Sequence, residues 1–111
     1  LPVLQAQGEV FAESTLKIFY CDKLFLGVDS FNLEEGVSTP NIEEANINQT
    51  MMSMSKETIA VFDSSKFNKR SFTFIAPVEK INTVITDEGI PMDVKIQLKK
   101  LNINLQIARI D

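Results

Sequence analysis

The sequence predicts an α/β protein with a mainly parallel sheet flanked by helices. Short apolar runs typical of buried strands occupy residues 23–29, 58–62 and 83–86, and each ends at or just before an aspartate. Segments with helical spacing separate these runs along the chain. Because strands joined through helices pair in parallel, this alternation favours a parallel sheet.

The first part of the chain is predicted to contain a helix, a central strand and a loop. Apolar side chains at near-helical spacing predict a helix over residues 11–20. Residues 23–29 are predicted as a strand buried on both faces, because the run is continuously apolar. Residues 30–40 contain Gly, Ser, Thr and Pro and are predicted as a loop.

A second helix is predicted over residues 41–56. Asn41 can cap its start, and Glu44 stands three residues on, as in a capping box. The apolar side chains on one face of this helix are Ile47, Met51 and Met54. A Met stripe at this spacing favours core packing over a cofactor site.

The remaining sequence continues the alternation. The predicted elements are a strand at 58–62, a turn at 64–68, strands at 72–76 and 83–86, a helix at 91–101 and a strand at 104–110. In the last helix, Val94, Leu98 and Leu101 are predicted to face inward. The 111 residues are expected to form one domain, and because the chain begins without Met it is expected to be part of a longer protein.

Composition and charge exclude several kinds of site. The chain has no His and a single Cys, which excludes His-based catalysis, the usual zinc sites and a disulfide within the chain. We therefore predict no cofactor and no metal. The net charge of −4 differs from the basic footprint of nucleic-acid-binding domains. No apolar run approaches the roughly 20 residues that span a bilayer, and no signal peptide is visible, so a cytoplasmic location without a membrane partner is predicted.

Three aspartates are predicted to lie at one edge of the sheet. Asp29, Asp63 and Asp87 each follow a predicted parallel strand, and the carboxyl ends of parallel strands are where ligands bind in open α/β sheets. Each could instead be an ordinary turn residue. Lys66 adds a cation that could bind phosphate, or could pair on the surface with Asp63 or Glu57.

The start of the second predicted helix also offers a place for a ligand. Backbone N–H groups at a helix start attract anions, but Glu43 and Glu44 already bring negative charge there. Carboxylates accept hydrogen bonds from hydroxyl groups. Together with Lys66, these side chains are compatible with a polyol phosphate.

Five motifs, spaced along the chain, resemble those of a known family. They are Phe25-Leu26-Gly27-Val28-Asp29, Gly36-Val37-Ser38-Thr39, Glu43-Glu44-Ala45, Asp63-Ser64-Ser65-Lys66-Phe67 and Ile85-Thr86-Asp87. In this order they resemble the effector-binding half of the DeoR/GlpR-type transcriptional repressors, and the resemblance extends from about residue 12 to the C-terminus. Residues 24–39, 63–68 and 87–91 are most similar to repressors of N-acetylgalactosamine (aga-type) catabolism.

The resemblance implies the sensor domain of a bacterial repressor. In this family an N-terminal helix-turn-helix domain, absent from this chain, binds operator DNA. The C-terminal sensor has a Rossmann-like fold similar to ribose-5-phosphate isomerase, glucosamine-6-phosphate deaminase and CoA transferases. It binds a phosphorylated sugar that controls operator binding allosterically, and a homo-oligomer is expected. The first part of the family's sensor, with its Asp-x-Gly-Thr-Thr phosphate loop, is also absent here.

The resemblance assigns the effector-binding residues one by one. Asp29 matches the carboxylate that closes the isomerase's Gly-Ala-Asp-Glu segment, Glu44 its catalytic glutamate, and Lys66 the lysine of its Asp-Glu-Ser-Lys segment. Ser38 and Thr39 are expected to line the same pocket. The isomerase's Lys-Gly-Gly-Gly loop has no counterpart here, which predicts binding without turnover and no catalytic residue.

Two other readings remain open at this point. The chain could be a diverged isomerase or deaminase fragment, or an oligomerisation domain with a vestigial pocket. Residues 1–8 or 72–77 could supply an interface between copies, although residues 72–77 also fit an ordinary core edge.

Overall fold

A computed structural model describes residues 21–109 of the chain. Within them lie strands β1 (Cys21–Gly27), β2 (Ser30–Asn32), β3 (Gly36–Thr39), β4 (Ser55–Val61), β5 (Thr73–Ala76), β6 (Thr83–Asp87) and β7 (Asn104–Ala108), helices α1 (Ile42–Ser53) and α2 (Met92–Lys100), and 3-10 turns at Ser64–Lys66 and Val78–Lys80. The helix predicted at residues 11–20 lies outside the described residues, as does residue 110 of the last predicted strand.

The larger sheet has the strand order β1-β4-β6-β7, and every neighbouring pair is parallel. One row across it joins Leu26, Ala60, Val84 and Leu105 as paired residues. All four side chains belong to or pack on the main apolar core. The prediction of an α/β protein with a parallel sheet flanked by helices is confirmed.

A second, antiparallel sheet forms from segments that the sequence analysis assigned mostly to a loop. Its order is β2-β3-β5, so the prediction of a loop over residues 30–40 is wrong. Asn32 Oδ1 accepts hydrogen bonds from the backbone N–H groups of Glu34 and Glu35, each at 2.9 Å, which closes the turn between β2 and β3. Strands of three and four residues are too short to show a clear period in the sequence.

The strand β1 alternates between buried and exposed side chains and is not buried on both faces as predicted. Leu24, Leu26 and Val28 are buried, whereas Phe25 is 63% exposed. The strand lies at one end of the described parallel sheet, and Leu24 packs against the Met51 side of α1. The described helices therefore cover only one face of this strand.

Helix α1 starts as predicted and ends earlier. Asn41 caps it, since its Oδ1 accepts from the Glu44 N–H at 3.0 Å. The helix was predicted to reach residue 56 but ends at Ser53, because the Ser55 hydroxyl bonds to the Met51 carbonyl and the chain turns into β4. Met54 is accordingly only partly buried.

Helix α2 ends in a left-handed turn. Asn102 has φ of 60°, its N–H bonds to Lys99 O at 3.1 Å, and the Ile103 N–H bonds to Leu98 O at 3.0 Å. These two bonds form a Schellman motif, in which Ile103 and Leu98 share the core. Leu101 was predicted to face inward, but it caps the helix and is exposed.

Candidate functional site

The carboxyl ends of β1, β4 and β6 place three aspartates at one edge of the parallel sheet. Asp29 and Asp63 each stand two residues beyond their strand, and Asp87 is the last residue of β6. Because the three strands are parallel, these ends share one edge. We call the site at this edge, comprising Asp29, Thr39 and Asp63–Lys66, the carboxyl-edge site.

Asp29 and Thr39 are held together by a hydrogen bond. Thr39 Oγ1 donates to Asp29 Oδ2 at 2.8 Å, and Thr39 is buried while Asp29 is exposed. The β2–β3 hairpin makes this contact by returning the chain to the end of β1. The bond orients one carboxylate oxygen, and Oδ1 has no hydrogen-bond partner in the described part of the chain.

Ser38 directly precedes Thr39, but its hydroxyl makes no hydrogen bond to Asp29 or Thr39 and bonds to Ser71 instead. Its Oγ accepts from the Ser71 backbone N–H at 2.7 Å, and Ser71 Oγ lies 2.5 Å from Ser30 Oγ. Ser30 and Ser38 are both buried. The Ser38 hydroxyl thus helps to fasten the segment before β5 onto the hairpin.

Glu44 lines a separate cleft of about 420 Å³ between β1 and α1. Gly27 lines the same cleft, two residues before Asp29, together with Asn41 and Glu43. The Glu44 backbone N–H bonds to the Asn41 cap, and its carboxylate makes no hydrogen bond or ion pair with residues 21–109. This carboxylate is therefore able to accept hydrogen bonds from a ligand.

Lys66 closes the 3-10 turn that follows β4. Phe67 forms a parallel bridge with Phe31, and the Asn68 N–H bonds to Phe31 O at 2.8 Å, which fixes this turn beside β2. The lysine is partly buried and exerts an attractive field on Asp63. It forms no ion pair within 4.0 Å among the described residues, so its ammonium is available to an anion.

The turn after β4 depends on two carboxylates. Asp63 accepts hydrogen bonds from the Ser65 hydroxyl and N–H, and Asp87 accepts from the Ser64 N–H and the Gly89 N–H at 2.9 and 2.8 Å. The Ser65 bonds hold the pKa of Asp63 below its ordinary value, and the Ser64 bonds with that from Gly89 lower the pKa of Asp87. Both carboxylates are thus occupied in shaping the turn that presents Lys66.

Comparison with known families identifies the chain. The DeoR C-terminal sensor domain family matches residues 5–88. The chain belongs to this family. The resemblance predicted from the five motifs is confirmed.

Individual relatives of this sensor domain are transcriptional regulators. A protein named as an aga operon transcriptional repressor, from Escherichia coli O157:H7, is 44% identical over 106 residues, covering 92% of the chain and 39% of its own length. The HTH-type transcriptional regulator GlpR of Haloferax volcanii is 32% identical over 94 residues, covering 85% of the chain and 37% of its own length. The transcriptional repressor AccR of Agrobacterium fabrum is 33% identical over 79 residues, covering 70% and 31%.

The sensor domain spans about two fifths of the length of the first curated relatives. Those relatives are named as transcriptional regulators, which agrees with the prediction that the chain is not an enzyme.

Another cleft within the described residues lies at the opposite edge of the parallel sheet. It measures about 560 Å³ and is formed by the start of β4, the end of α1 and the turn after β5. Its amides are already engaged: Gln49 Nε2 donates to Phe74 O and Ile75 O, and Asn82 Oδ1 accepts from the Thr58 N–H. The carboxyl-edge site is the stronger candidate for a ligand, because ligands of open α/β sheets bind beyond the carboxyl ends of the strands.

An aromatic cluster packs next to the carboxyl-edge site. Phe31, Phe62 and Phe67 pack with ring centroids 4.9 to 5.4 Å apart. Phe62 directly precedes Asp63, and Phe67 directly follows Lys66. This cluster was not predicted from the sequence, although an aromatic residue within two positions of Asp29, Asp63 and Lys66 was a visible signal.

Two further features are absent from the described residues. No group of three or more Cys, Asp or Glu side chains in residues 21–109 could hold a metal ion. No helix in that part of the chain is long and apolar enough to cross a membrane.

Proposed function

We propose that this sensor domain binds a phosphorylated sugar at the carboxyl-edge site and thereby controls operator binding by a helix-turn-helix domain outside these 111 residues. The proposal extends to a cytoplasmic repressor of amino-sugar catabolism that acts as a homo-oligomer. It also includes a Rossmann-like fold of the ribose-5-phosphate isomerase and glucosamine-6-phosphate deaminase type. Binding would couple two separate sites, which is allosteric control.

The observation that carries the proposal is the oriented Asp29 carboxylate at the end of a parallel strand in a DeoR sensor domain. Its Oδ1 and the Glu44 carboxylate can accept hydrogen bonds from sugar hydroxyls. Lys66, unpaired among the described residues, suits a phosphate oxygen as a compact cation. Thr39 acts by holding Asp29. Ser38 is buried, accepts a hydrogen bond from Ser71 and lines a different groove, so we assign it a supporting place in the hairpin beside the pocket.

The residues support binding without turnover. An aldose–ketose isomerase needs a base and a polarising cation on the same substrate. In the isomerase, the segment that corresponds to residues 35–39 carries the loop lysine. In this chain the segment is Glu35, Gly36, Val37, Ser38 and Thr39, and it contains no lysine. Of these, Glu35 is paired with Arg70 and the others form β3.

Calorimetric titration of the full-length protein tests the proposal. The ligands are N-acetylgalactosamine 6-phosphate, galactosamine 6-phosphate and tagatose 6-phosphate, chosen because of the similarity to the aga operon regulator. We expect one of them to bind saturably without product. Lys66→Ala is expected to weaken it about 10- to 100-fold, since a hydrogen bond to a charged group contributes about 1.5–3 kcal/mol. Glu44→Ala is expected to weaken it as well.

Lys99→Ala provides the matched control, because Lys99 lies on the exposed side of α2, far along the chain from the site. Binding that is equally sensitive to Lys99 and Lys66 would contradict the site assignment. Binding of none of the three sugars would contradict the amino-sugar assignment, and conversion of a ligand would favour the enzyme.

A further inference from the structure

Asn48 is a buried side chain of α1 without a hydrogen-bond partner in the described part of the chain. It is 4% exposed, and its amide makes no hydrogen bond with any of residues 21–109. An Asn amide has two N–H donors and an oxygen acceptor. Native proteins pair almost all of their buried polar side chains, because an unpaired group loses its bonds to water and gains none. The Asn48 amide therefore has hydrogen bonds to offer to a ligand.

This amide belongs to the cleft between β1 and α1. Asn48 lines the cleft one helical turn after Glu44, and residues four apart lie on the same face of an α-helix. At one end the cleft reaches Gly27, two residues before Asp29. Towards the other end Met51 packs against the first half of β1. Glu44 thus lies nearer the carboxyl edge, and Asn48 lies further inside the cleft.

The remaining walls of the cleft are mostly apolar and leave room for a ring. Phe25 is 63% exposed, whereas Ile47 and Met51 are buried. Gly27 has no side chain, and a Cβ added there would have no atom within 4 Å, so the space beside it is open. Small-molecule sites typically combine apolar walls with a few placed polar groups. A sugar ring, with apolar C–H faces and a polar edge of hydroxyl groups, suits such walls.

Glu44 and Asn48 together match two neighbouring hydroxyl groups. An ionised carboxylate only accepts hydrogen bonds, whereas an amide both donates and accepts. One hydroxyl can donate to the Glu44 carboxylate while its neighbour accepts from Asn48 Nδ2. A phosphate is disfavoured here, because Glu43 and Glu44 already bring two negative charges to the cleft. The chemistry of the cleft therefore selects the uncharged, hydroxyl-bearing part of a ligand.

We propose that Asn48 is a specificity-determining residue of the sensor domain, and that with Glu44 it binds two adjacent hydroxyl groups of the sugar effector. The effector then extends from Asp29 and Lys66 at the carboxyl-edge site along α1 into this cleft. The inference rests on the proposed function, because it requires the sugar to bind. It adds the residue that recognises the uncharged end of that sugar.

Asn48→Leu in the full-length protein tests the inference with two measurements. Leu has a similar volume and no polar atom, so it removes an unpaired buried amide. We expect the melting temperature of the effector-free protein to rise. Calorimetric titration with N-acetylgalactosamine 6-phosphate is expected to show binding weakened about 10-fold or more, as for the loss of one hydrogen bond. An amide with a purely structural role would show the opposite pattern, a lower melting temperature and an unchanged affinity.

Asn46→Leu is the matched control. It makes the same substitution on the same helix, but Asn46 is exposed and does not line the cleft. We expect the affinity of this variant to equal that of the wild type. Asn48→Asp keeps the shape of the side chain, removes the N–H donors and places a second carboxylate one turn from Glu44. It is expected to weaken binding as well.

Deoxy analogues of the ligand test the contact itself. The 3-deoxy and 4-deoxy forms of N-acetylgalactosamine 6-phosphate each lack one hydroxyl of the adjacent pair. We expect at least one of them to bind the wild type more weakly than the parent sugar does. In Asn48→Leu that difference should disappear, because a hydroxyl and the amide that binds it are coupled in a double-mutant cycle.

Three results would contradict the inference, and they separate it from the proposed function. Wild-type binding that is fully retained in Asn48→Leu would overturn the role of Asn48 and leave the proposed function standing. A lower melting temperature of effector-free Asn48→Leu would show that the amide already has a partner within the protein, and would overturn the role as well. Binding of none of the sugar phosphates to the wild type would contradict the proposed function and, with it, this inference.

Discussion

Gly36 is the residue on which the β2–β3 hairpin depends. Its φ is 91°, and a Cβ added there would lie 2.5 Å from Ala76 O and 2.8 Å from Phe74 Cε1. Both the left-handed backbone and the close approach disfavour any other residue. We predict that Gly36→Ala lowers the free energy of unfolding by about 1–3 kcal/mol, as for other strained backbone positions.

Urea denaturation of the variant measures this loss, with Gly27→Ala as the control. Gly27 has no atom within 4 Å of an added Cβ and no positive φ. An alanine is therefore expected to fit there. Equal effects of the two substitutions would show that the hairpin does not require glycine at position 36.

For single residues, the sequence could predict hydrogen bonds between residues that are close together in the chain. It could not predict hydrogen bonds between residues that are far apart in the chain. The Asn41 cap followed from its spacing to Glu44, and the structure shows the bond. The bond from Thr39 to Asp29 joins residues ten apart, and that from Ser71 to Ser38 joins residues 33 apart. No spacing rule connects such pairs before the hairpin is known.

At the scale of elements, the turn after β4 is held by ionised carboxylates. The pKa values of Asp63 and Asp87 are lowered by the hydrogen bonds from Ser65 and from Ser64 and Gly89. The charged form is therefore favoured in the folded chain, and its contribution to stability is complete above the unfolded pKa of about 3.9. We predict that the free energy of unfolding falls as the pH is lowered through the folded pKa values.

Thermal unfolding between about pH 7 and pH 2 measures this dependence, and Asp87→Asn is expected to make it shallower. Glu34→Gln controls for net charge, because it removes one negative charge without removing a hydrogen bond of the turn. A pH dependence that is identical in the wild type and in Asp87→Asn would contradict the role given to this carboxylate.

The elements that were predicted well from the sequence are those in which apolar residues recur at a regular spacing. The strands β4 and β6 and both helices stand within about three residues of the predicted bounds. The short strands β2 and β3 were missed, because three or four residues gain their order from pairing with each other and with β5. The two-sided burial predicted for β1 failed, since apolar content alone does not show where a strand lies in the sheet.

At the scale of the whole molecule, the two edges of the parallel sheet, at the carboxyl and the amino ends of its strands, carry different side chains. The carboxyl edge holds Asp29, Lys66 and the aromatic cluster that joins both sheets, whereas the amino edge holds the larger cleft with Lys56 and Lys80. The sequence could predict the first edge because parallel strands share their direction. It contained no signal for the second cleft, whose lining comes from four separate elements, α1, β4, β5 and the 3-10 turn at Val78–Lys80.

The location of the effector is the central claim, and NMR of the ¹⁵N-labelled full-length protein tests it most directly. On titration with N-acetylgalactosamine 6-phosphate, we predict that the amide signals of Asp29, Thr39 and Lys66 shift together and saturate, while those of Lys56 and Lys80 stay in place. Shifts confined to Lys56 and Lys80 would place the ligand at the opposite edge of the sheet and contradict the carboxyl-edge site.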